Sequence, residues 1–206
     1  MEINSSFYRS HRARTYEKWA ENTPESFRFS VKVPKTITHE LGLIAAESDL
    51  DALLVDATAL GKKLGCLLVQ LPPKLEFDAD VAVRFFAAVR QRFHRGVALE
   101  PRNPTWFNDD AQRVLEAHSV ARVAADPARV PAAAEAGGWD GLVYIRLHGS
   151  PRMYYSPYGD AYLDALAARI RATQARGIPV WCIFDNTASG AAAINALDLS
   201  DRLAGR

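Results

Sequence analysis

The stretch Gly141-Leu-Val-Tyr-Ile-Arg-Leu-His-Gly149 decides the fold, because it joins an apolar strand pattern to two polar side chains at one end. Successive side chains of a strand point to opposite faces, so Tyr144, Arg146 and His148 share one face. Strands that turn polar only at their carboxyl ends are typical of (β/α) barrels and open α/β sheets, which bind ligands there. The stretch therefore predicts an α/β fold with a site at the carboxyl ends of its strands.

The rest of the chain repeats this pattern of strand, polar loop, helix and glycine at the length of a βα unit. Regular alternation of this kind implies parallel strands joined by right-handed crossovers. Including the stretch at 141–149, we recognise seven strands, the others at residues 2–8, 27–34, 66–72, 97–101, 120–125 and 179–184. No low-complexity linker interrupts them, so residues 1–206 are predicted to form one domain.

A closed barrel of the TIM type needs eight strands, one more than the sequence provides. Because Asn4 lies only three residues from the start, we expect a TIM-type (β/α) barrel that lacks its first βα unit, either through the gene start or through truncation. An open barrel has two unpaired strand edges, which favour association. We therefore expect an oligomer or a poorly behaved chain.

Composition places the chain among ordinary soluble proteins, with 49% hydrophobic and 24% charged residues. The formal net charge of +1 argues against a global attraction to nucleic acid or to an anionic membrane. No apolar run reaches transmembrane length, and the start does not resemble a signal peptide. Cys66 and Cys182 lie in predicted buried strands, which indicates reduced core residues and a cytoplasmic protein.

Polar residues recur where the predicted strands end, although the beginnings of the same strands are apolar. Burying a charge without a partner costs several kcal/mol, so these groups must satisfy one another or a ligand. Both alternatives are open: a ligand site, or an ion-pair network that only closes the top of the barrel. The residues at the strand ends are Glu2, Asn4, Lys32, Gln70, Glu100, Arg102, Asp126, Arg146, His148, Asp185 and Asn186.

The chemistry of these residues favours an anionic or sugar-like small molecule, because arginine side chains bind carboxylate and phosphate in bidentate fashion. Glu100 and His148 are predicted to be catalytic, since buried glutamate and histidine tune readily towards neutral pH. No metal is predicted, because no close-spaced ligand pair appears and nearby cations oppose one. The cofactor, substrate and reaction are unknown at this point. The predicted substrate-binding residues are Asn4, Tyr8, Lys32, Gln70, Arg102, Trp106, Arg146, Asp185 and Asn186.

A second hypothesis is a non-catalytic binding protein. Nucleic acid is one partner that it could bind, through the basic segment 9–18 with Tyr8 and Trp19 as stacking surfaces. Its affinity would fall steeply with salt, and the neutral total charge argues against it. The residues alone do not decide between an enzyme and a binding protein.

Six motifs in order resemble the YecE-like family, catalogued as domain of unknown function 72. They are residues 2–8 (Glu-Ile-Asn-Ser-Ser-Phe-Tyr), Lys32-Val-Pro with Thr38 and His39, Gln70-Leu-Pro-Pro, Glu100-Pro-Arg with Trp106, Tyr144-Ile-Arg-Leu-His-Gly, and Phe184-Asp-Asn with Gly190. The resemblance covers essentially the whole chain and implies a TIM-type barrel with these motifs at its top. It implies no activity, because the family has none established. Members usually begin one βα unit earlier, in agreement with the strand count.

Overall fold

The structure, a computed structural model, describes residues 1–205. Its strands are β1 (Glu2–Ile3), β2 (Phe29–Lys32), β3 (Leu64–Gln70), β4 (Gly96–Glu100), β5 (Ala121–Arg122), β6 (Ala124–Asp126), β7 (Gly137–Gly138), β8 (Val143–Leu147) and β9 (Val180–Phe184). Its α-helices are α1 (Ala13–Glu21), α2 (Glu47–Ala57), α3 (Ala79–Arg92), α4 (Asp109–Ala117), α5 (Asp160–Ala175) and α6 (Ala191–Ala204).

The strands form two sheets, in which most strands pair with the next strand along the chain and β7 and β6 exchange places in the order. One sheet has the order β1-β2-β3-β4-β5-β7 and the other the order β6-β8-β9. All pairings are parallel except the short antiparallel pair of β5 with β7. Only Val123 separates β5 from β6, so one run of chain contributes to both sheets.

The predicted mixed α/β fold with parallel strands is confirmed, and each of the seven predicted strands overlaps an observed one. The short strand β7 was not predicted, because its two glycines carry no strand signal. Within residues 1–205 no strand pairing joins β9 to β1, so the hydrogen-bonded sheet does not close into a barrel.

Alternate residues of the central strands supply two separate apolar cores. Leu67, Val69 and Leu99 pack with the helices that cover the sheet, among them α3, which Asp78 caps by accepting from Val81 N at 3.0 Å. The opposite face of the strands carries a smaller cluster: Cys66, Leu68, Ala98, Ala121, Val123, Leu142 and Tyr144. We call this second face the inner face.

The inner face turns polar where the strands end. Gln70 follows Leu68 on β3, and Arg146 follows Tyr144 on β8, each two residues further along its strand. The sheets curve far enough for the side chain of Glu2 on β1 to contact Tyr144 and Arg146 on β8. Asn4 Nδ2 donates to Asp185 Oδ1 at 3.4 Å, just beyond the ends of β1 and β9. The fold thus brings residues from distant parts of the sequence to one level.

Candidate functional site

Arg146 lies at the centre of the polar strand ends, with 1% of its surface exposed. Its Nε and Nη2 donate to the two carboxylate oxygens of Glu2, at 3.0 and 2.7 Å. Nη2 also donates to Asp185 Oδ2 at 3.0 Å, while Nη1 donates to Glu100 Oε2 at 2.5 Å and to Gln70 Oε1 at 3.5 Å. Protein acceptors therefore use all five N–H groups of the guanidinium. We call these five residues the strand-end network.

Glu100 is held as a carboxylate by two arginines. Besides Arg146, it accepts from Arg102 Nε at 3.1 Å and from Arg102 Nη2 at 3.0 Å. Burial by itself raises the pKa of Glu100, but Arg146, His148 and Arg102 outweigh it and hold that pKa well below its ordinary value. A group that transfers protons near neutral pH needs a pKa near neutral. These surroundings therefore oppose the proton-transfer role predicted for Glu100.

His148 is oriented by Asp185 and has one free ring nitrogen. Its Nδ1 lies 3.1 Å from Asp185 Oδ2, whereas its buried Nε2 has no hydrogen-bond partner within the described residues and lies 3.7 Å from Glu100 Oε1. Burial lowers the pKa of His148, but the two carboxylates outweigh burial and raise it above 6.5. An imidazole with one nitrogen fixed by a carboxylate and the other free is suited to proton transfer.

Lys32 is a buried cation that no carboxylate neutralises directly. Its residue is 5% exposed, and Nζ lies 4.1 Å above the centre of the Phe7 ring. Within the described residues, Nζ makes no hydrogen bond or ion pair, although the carboxylates bound by Arg146 are nearby. Burial and then the charge of Arg146 lower the pKa of Lys32 from 10.5 to about 8.

Two unpaired buried polar atoms of the described chain lie at the polar end of the inner face. They are Asn4 Oδ1 and His148 Nε2, on residues that both bond to Asp185. The other unpaired atoms, Asp126 Oδ2, Asn186 Oδ1 and Arg122 Nε, also belong to residues at or just after strand ends, but on the faces that pack against helices. A buried polar atom without a partner costs about 1–3 kcal/mol, so natural proteins leave few of them.

A small cavity of about 20 Å³ adjoins Glu100 and His148. This volume is about that of one water molecule, so the cavity admits one small polar group rather than a whole ligand. Its other lining residues are Pro101, Arg102, Val123, Ala125, Pro127, Arg129 and Met153.

The structure brings most of the predicted site residues to one level. Asn186 turns away from the others, because its Nδ2 donates to Ser156 O at 3.0 Å and to Asn195 Oδ1 on α6 at 3.1 Å. Eight predicted residues belong to the strand-end network, bond directly to it or lie close enough to interact with its charges. They are Asn4, Lys32, Gln70, Glu100, Arg102, Arg146, His148 and Asp185.

Trp106 and Tyr8 do not join this group. The prediction that Trp106 lines the pocket is wrong, because its ring is 1% exposed in the core and packs 5.0 Å from the Phe77 ring. Its Nε1 donates to Leu75 O at 3.0 Å, so its polar atom is also satisfied inside the protein. Tyr8 is 73% exposed and contacts the edge of Phe7 instead.

The prediction of site residues left out two side chains that belong to the site. Glu2 is the bidentate partner of Arg146, and Tyr144 OH bonds to Glu2 Oε2 and to Ser30 Oγ, each at 2.9 Å. Glu2 stands at a strand end in the sequence, so that signal was sufficient to include it. Asp126 also ends a strand, but it follows Ala124 on the face of β6 that packs against α5. The shared face of Tyr144 and Arg146 was a signal for the tyrosine.

The two rings predicted to stack on nucleic-acid bases differ in exposure. Tyr8 is 73% exposed, whereas Trp19 on α1 is partly buried and packs against the core at 5.5 Å from the Tyr16 ring. Tyr8 is therefore the one of the two that offers an open face for stacking.

Two further features concern metals and membranes. Over residues 1–205, no group of three or more His, Cys, Asp and Glu side chains has an arrangement that could hold a metal ion. In the same residues, none of the helices combines the length and the apolar character needed to cross a bilayer.

Sequence comparison places the chain among proteins of unknown function. All residues 1–206 match the family described as "Protein of unknown function DUF72". UPF0759 protein YunF of Bacillus subtilis (strain 168) is 34% identical over 114 residues, covering 52% of this chain and 40% of that protein. UPF0759 protein YecE of Escherichia coli (strain K12) is 27% identical over 139 residues, covering 65% and 50%. The matched part thus spans half or less of each of these relatives.

Solved structures of the same family share the fold. A DUF72 family protein of Enterococcus faecalis V583 superposes with a TM-score of 0.82 at 22% identity, over 98% of this chain and 84% of that one. A DUF72 family protein of Thermotoga maritima MSB8 superposes with a TM-score of 0.81 at 23% identity, over 98% and 83%.

Proposed function

The chain belongs to the DUF72 family, and we propose that it binds a small anionic or polyhydroxylated molecule at the carboxyl ends of its parallel strands. The strands are proposed to be part of a TIM-type barrel within one domain, in which such ends form the ligand site. Their mostly sequential order and the contact between Asn4 and Asp185 support this architecture.

The observation that carries the proposal is the pair of unpaired atoms Asn4 Oδ1 and His148 Nε2, on two residues that both bond to Asp185. One is an acceptor oxygen and the other a ring nitrogen, so a ligand with both hydroxyl and acidic groups completes them. A network that only stabilised the fold would satisfy its own members, as Arg146 is satisfied. The free atoms are therefore the part of the site that favours a ligand over a purely structural role.

Charge supports an anionic ligand. Lys32 lacks a carboxylate partner, and Arg102 uses only Nε and Nη2 on Glu100 within the described residues. Burial, then Lys32, Arg102 and Lys74 in turn, lower the pKa of His39, which indicates that these cations act together on one region. An anion placed there would pair with Lys32, which has no direct carboxylate partner, and with the Nη1 of Arg102 that Glu100 leaves unused.

Distinct roles follow for the residues of the site. His148 transfers a proton through Nε2, with Asp185 fixing the ring. Arg146 is a positioning residue, because its N–H groups are occupied by the protein and it holds the carboxylates in place. Glu100 acts as a permanent negative charge beside His148, in place of the proton-transfer role first assigned to it. Asn4 and Gln70 orient the ligand, and Asn186 fixes the chain after β9 through its bonds to Ser156 and Asn195.

Thermal-shift measurements test the proposal with a panel of phosphate, sulfate, glyoxylate, pyruvate and sugar phosphates. The double variant Lys32→Met with His148→Gln removes the free cation and the free nitrogen. Lys35→Met with His94→Gln, both exposed residues of the same kinds, is the matched control. At one hundred times its dissociation constant a ligand stabilises the fold by about 2.7 kcal/mol, which raises the melting temperature by several degrees.

We expect at least one compound to raise the melting temperature of the wild type and of the control but not of the site variant. Equal shifts in all three proteins place the binding elsewhere and refute the proposed site. If no compound of the panel shifts the melting temperature, and denaturation of the purified protein releases no small molecule, the proposal that these strand ends bind a ligand is refuted.

A further inference from the structure

Lys32 is buried at the strand ends with its amine unbonded. The residue is 5% exposed, Nζ faces the Phe7 ring at 4.1 Å, and no acceptor within residues 1–205 bonds to it. The strand alternation puts Lys32 on the same face as Ser30, whose hydroxyl bonds to Tyr144 on the inner face. The amine therefore belongs to the polar end of the inner face.

The neighbouring carboxylates do not neutralise this amine, because Arg146 occupies them. Glu2, Glu100 and Asp185 each bond to Arg146 at 2.5–3.0 Å. Lys32 thus lies near carboxylates that hold a competing guanidinium, and it makes no ion pair with them within the described residues. A cation that served only to stabilise the network would take part in these ion pairs.

An amine of this kind is available for covalent chemistry. Desolvation and a neighbouring cation favour the neutral form, which is the nucleophile. With its pKa lowered to about 8, about one Lys32 in ten is neutral at pH 7, against about one in three thousand for an amine at 10.5. A lysine that must only hold a charge gains nothing from these surroundings.

We propose that Lys32 is a nucleophile that forms an imine with a carbonyl group of the ligand, so that the ligand is an anionic aldehyde or ketone. This inference rests on the proposed function, because it uses the same ligand site. The neutral amine attacks the carbonyl carbon, a carbon–nitrogen bond forms, and the carbon–oxygen bond then breaks. The oxygen leaves as water together with both amine protons, so no oxidant or reductant is needed.

Reductive trapping tests the inference with glyoxylate, a small aldehyde that carries a carboxylate. Sodium cyanoborohydride delivers a hydride to the imine carbon and converts the imine into a stable secondary amine. Peptide mass spectrometry at pH 7 then compares the labelling rate of Lys32 with that of Lys35, three residues further along and half exposed at its side chain. Calorimetric titration with glyoxylate, without the reductant, measures binding separately.

We expect Lys32 to be labelled at least tenfold faster than Lys35. Lys32→Arg, which keeps the cation and removes the nucleophilic amine, should bind glyoxylate without labelling at position 32. Binding of glyoxylate with no preferential labelling of Lys32 overturns the imine and leaves the proposed ligand site standing. Absence of both binding and labelling in a folded protein overturns the inference, and the thermal-shift panel then decides the proposed function independently.

Discussion

Replacing Lys32 with methionine should stabilise the protein, although the substitution removes the charge of a buried lysine. The folded chain binds the Lys32 proton less tightly than the unfolded chain, because burial and Arg146 lower its pKa from 10.5 to about 8. At about 1.4 kcal/mol for each pKa unit, this difference opposes folding by about 3 kcal/mol at neutral pH. The lost contact with the Phe7 ring offsets about 1–2 kcal/mol of the gain.

The difference in stability between Lys32→Met and wild type should depend on pH. Between pH 8 and 10.5 the unfolded state holds more protons at Lys32 than the folded state, so wild-type stability rises with pH across that window. Lys32→Met lacks this contribution. Its advantage of about 1–2 kcal/mol at pH 7 should therefore shrink as the pH rises towards 10.5.

Urea unfolding of both proteins at pH 7, 8, 9 and 10 measures the difference directly. Lys35→Met is the control, since Lys35 is exposed and paired with Glu40 at 3.0 Å, and its replacement should change stability little. A Lys32→Met variant that is less stable than wild type at pH 7, or whose advantage stays constant to pH 10, refutes the description of Lys32 as an uncompensated buried cation.

Three further substitutions test the remaining features. Arg146→Met should cost about 3–5 kcal/mol in urea unfolding, because it leaves three buried carboxylates without their partner; a loss no larger than that of Arg92→Met, which removes a partly exposed ion pair with Asp51, contradicts the network. His148→Gln should lose stability relative to wild type at pH 6, and the difference should narrow as pH rises past the raised pKa of His148, because the protonated ring is the form that Asp185 stabilises. A pH-independent difference argues against that pairing. Trp106→Phe should cost about 1–3 kcal/mol while leaving ligand-induced thermal shifts intact, since its indole bonds within the core; loss of the shift alone would restore Trp106 to the site.

Strand alternation and strand ends were sufficient to predict the mixed α/β fold with parallel strands and the meeting of polar side chains around Arg146. The sequence at 141–149 alone orders Tyr144, Arg146 and His148 on one face, and their contacts in the structure confirm that arrangement. The polar end of a strand is a local property of the sequence, and parallel pairing brings such ends together. Long-range geometry was not needed for either conclusion.

The partner of each charge could not be predicted in the same way. Glu2 and Arg146 are 144 residues apart, and which carboxylate a guanidinium selects depends on side-chain directions across the inner face. Whether the pKa of Glu100 is raised or lowered depends on which cations are its partners. The prediction for Trp106 was wrong for a related reason. A loop residue after a strand can turn its ring towards the helices or towards the ligand site, and packing with Phe77 determines which of the two directions it takes.

The most direct measurement is a crystal structure of the protein soaked with the panel compound that gives the largest thermal shift. We predict density for that compound within about 3.2 Å of His148 Nε2 and of the unpaired oxygen of Asn4. Density for the compound elsewhere on the molecule, with these two atoms bonded only to water, would contradict a ligand site at the strand ends.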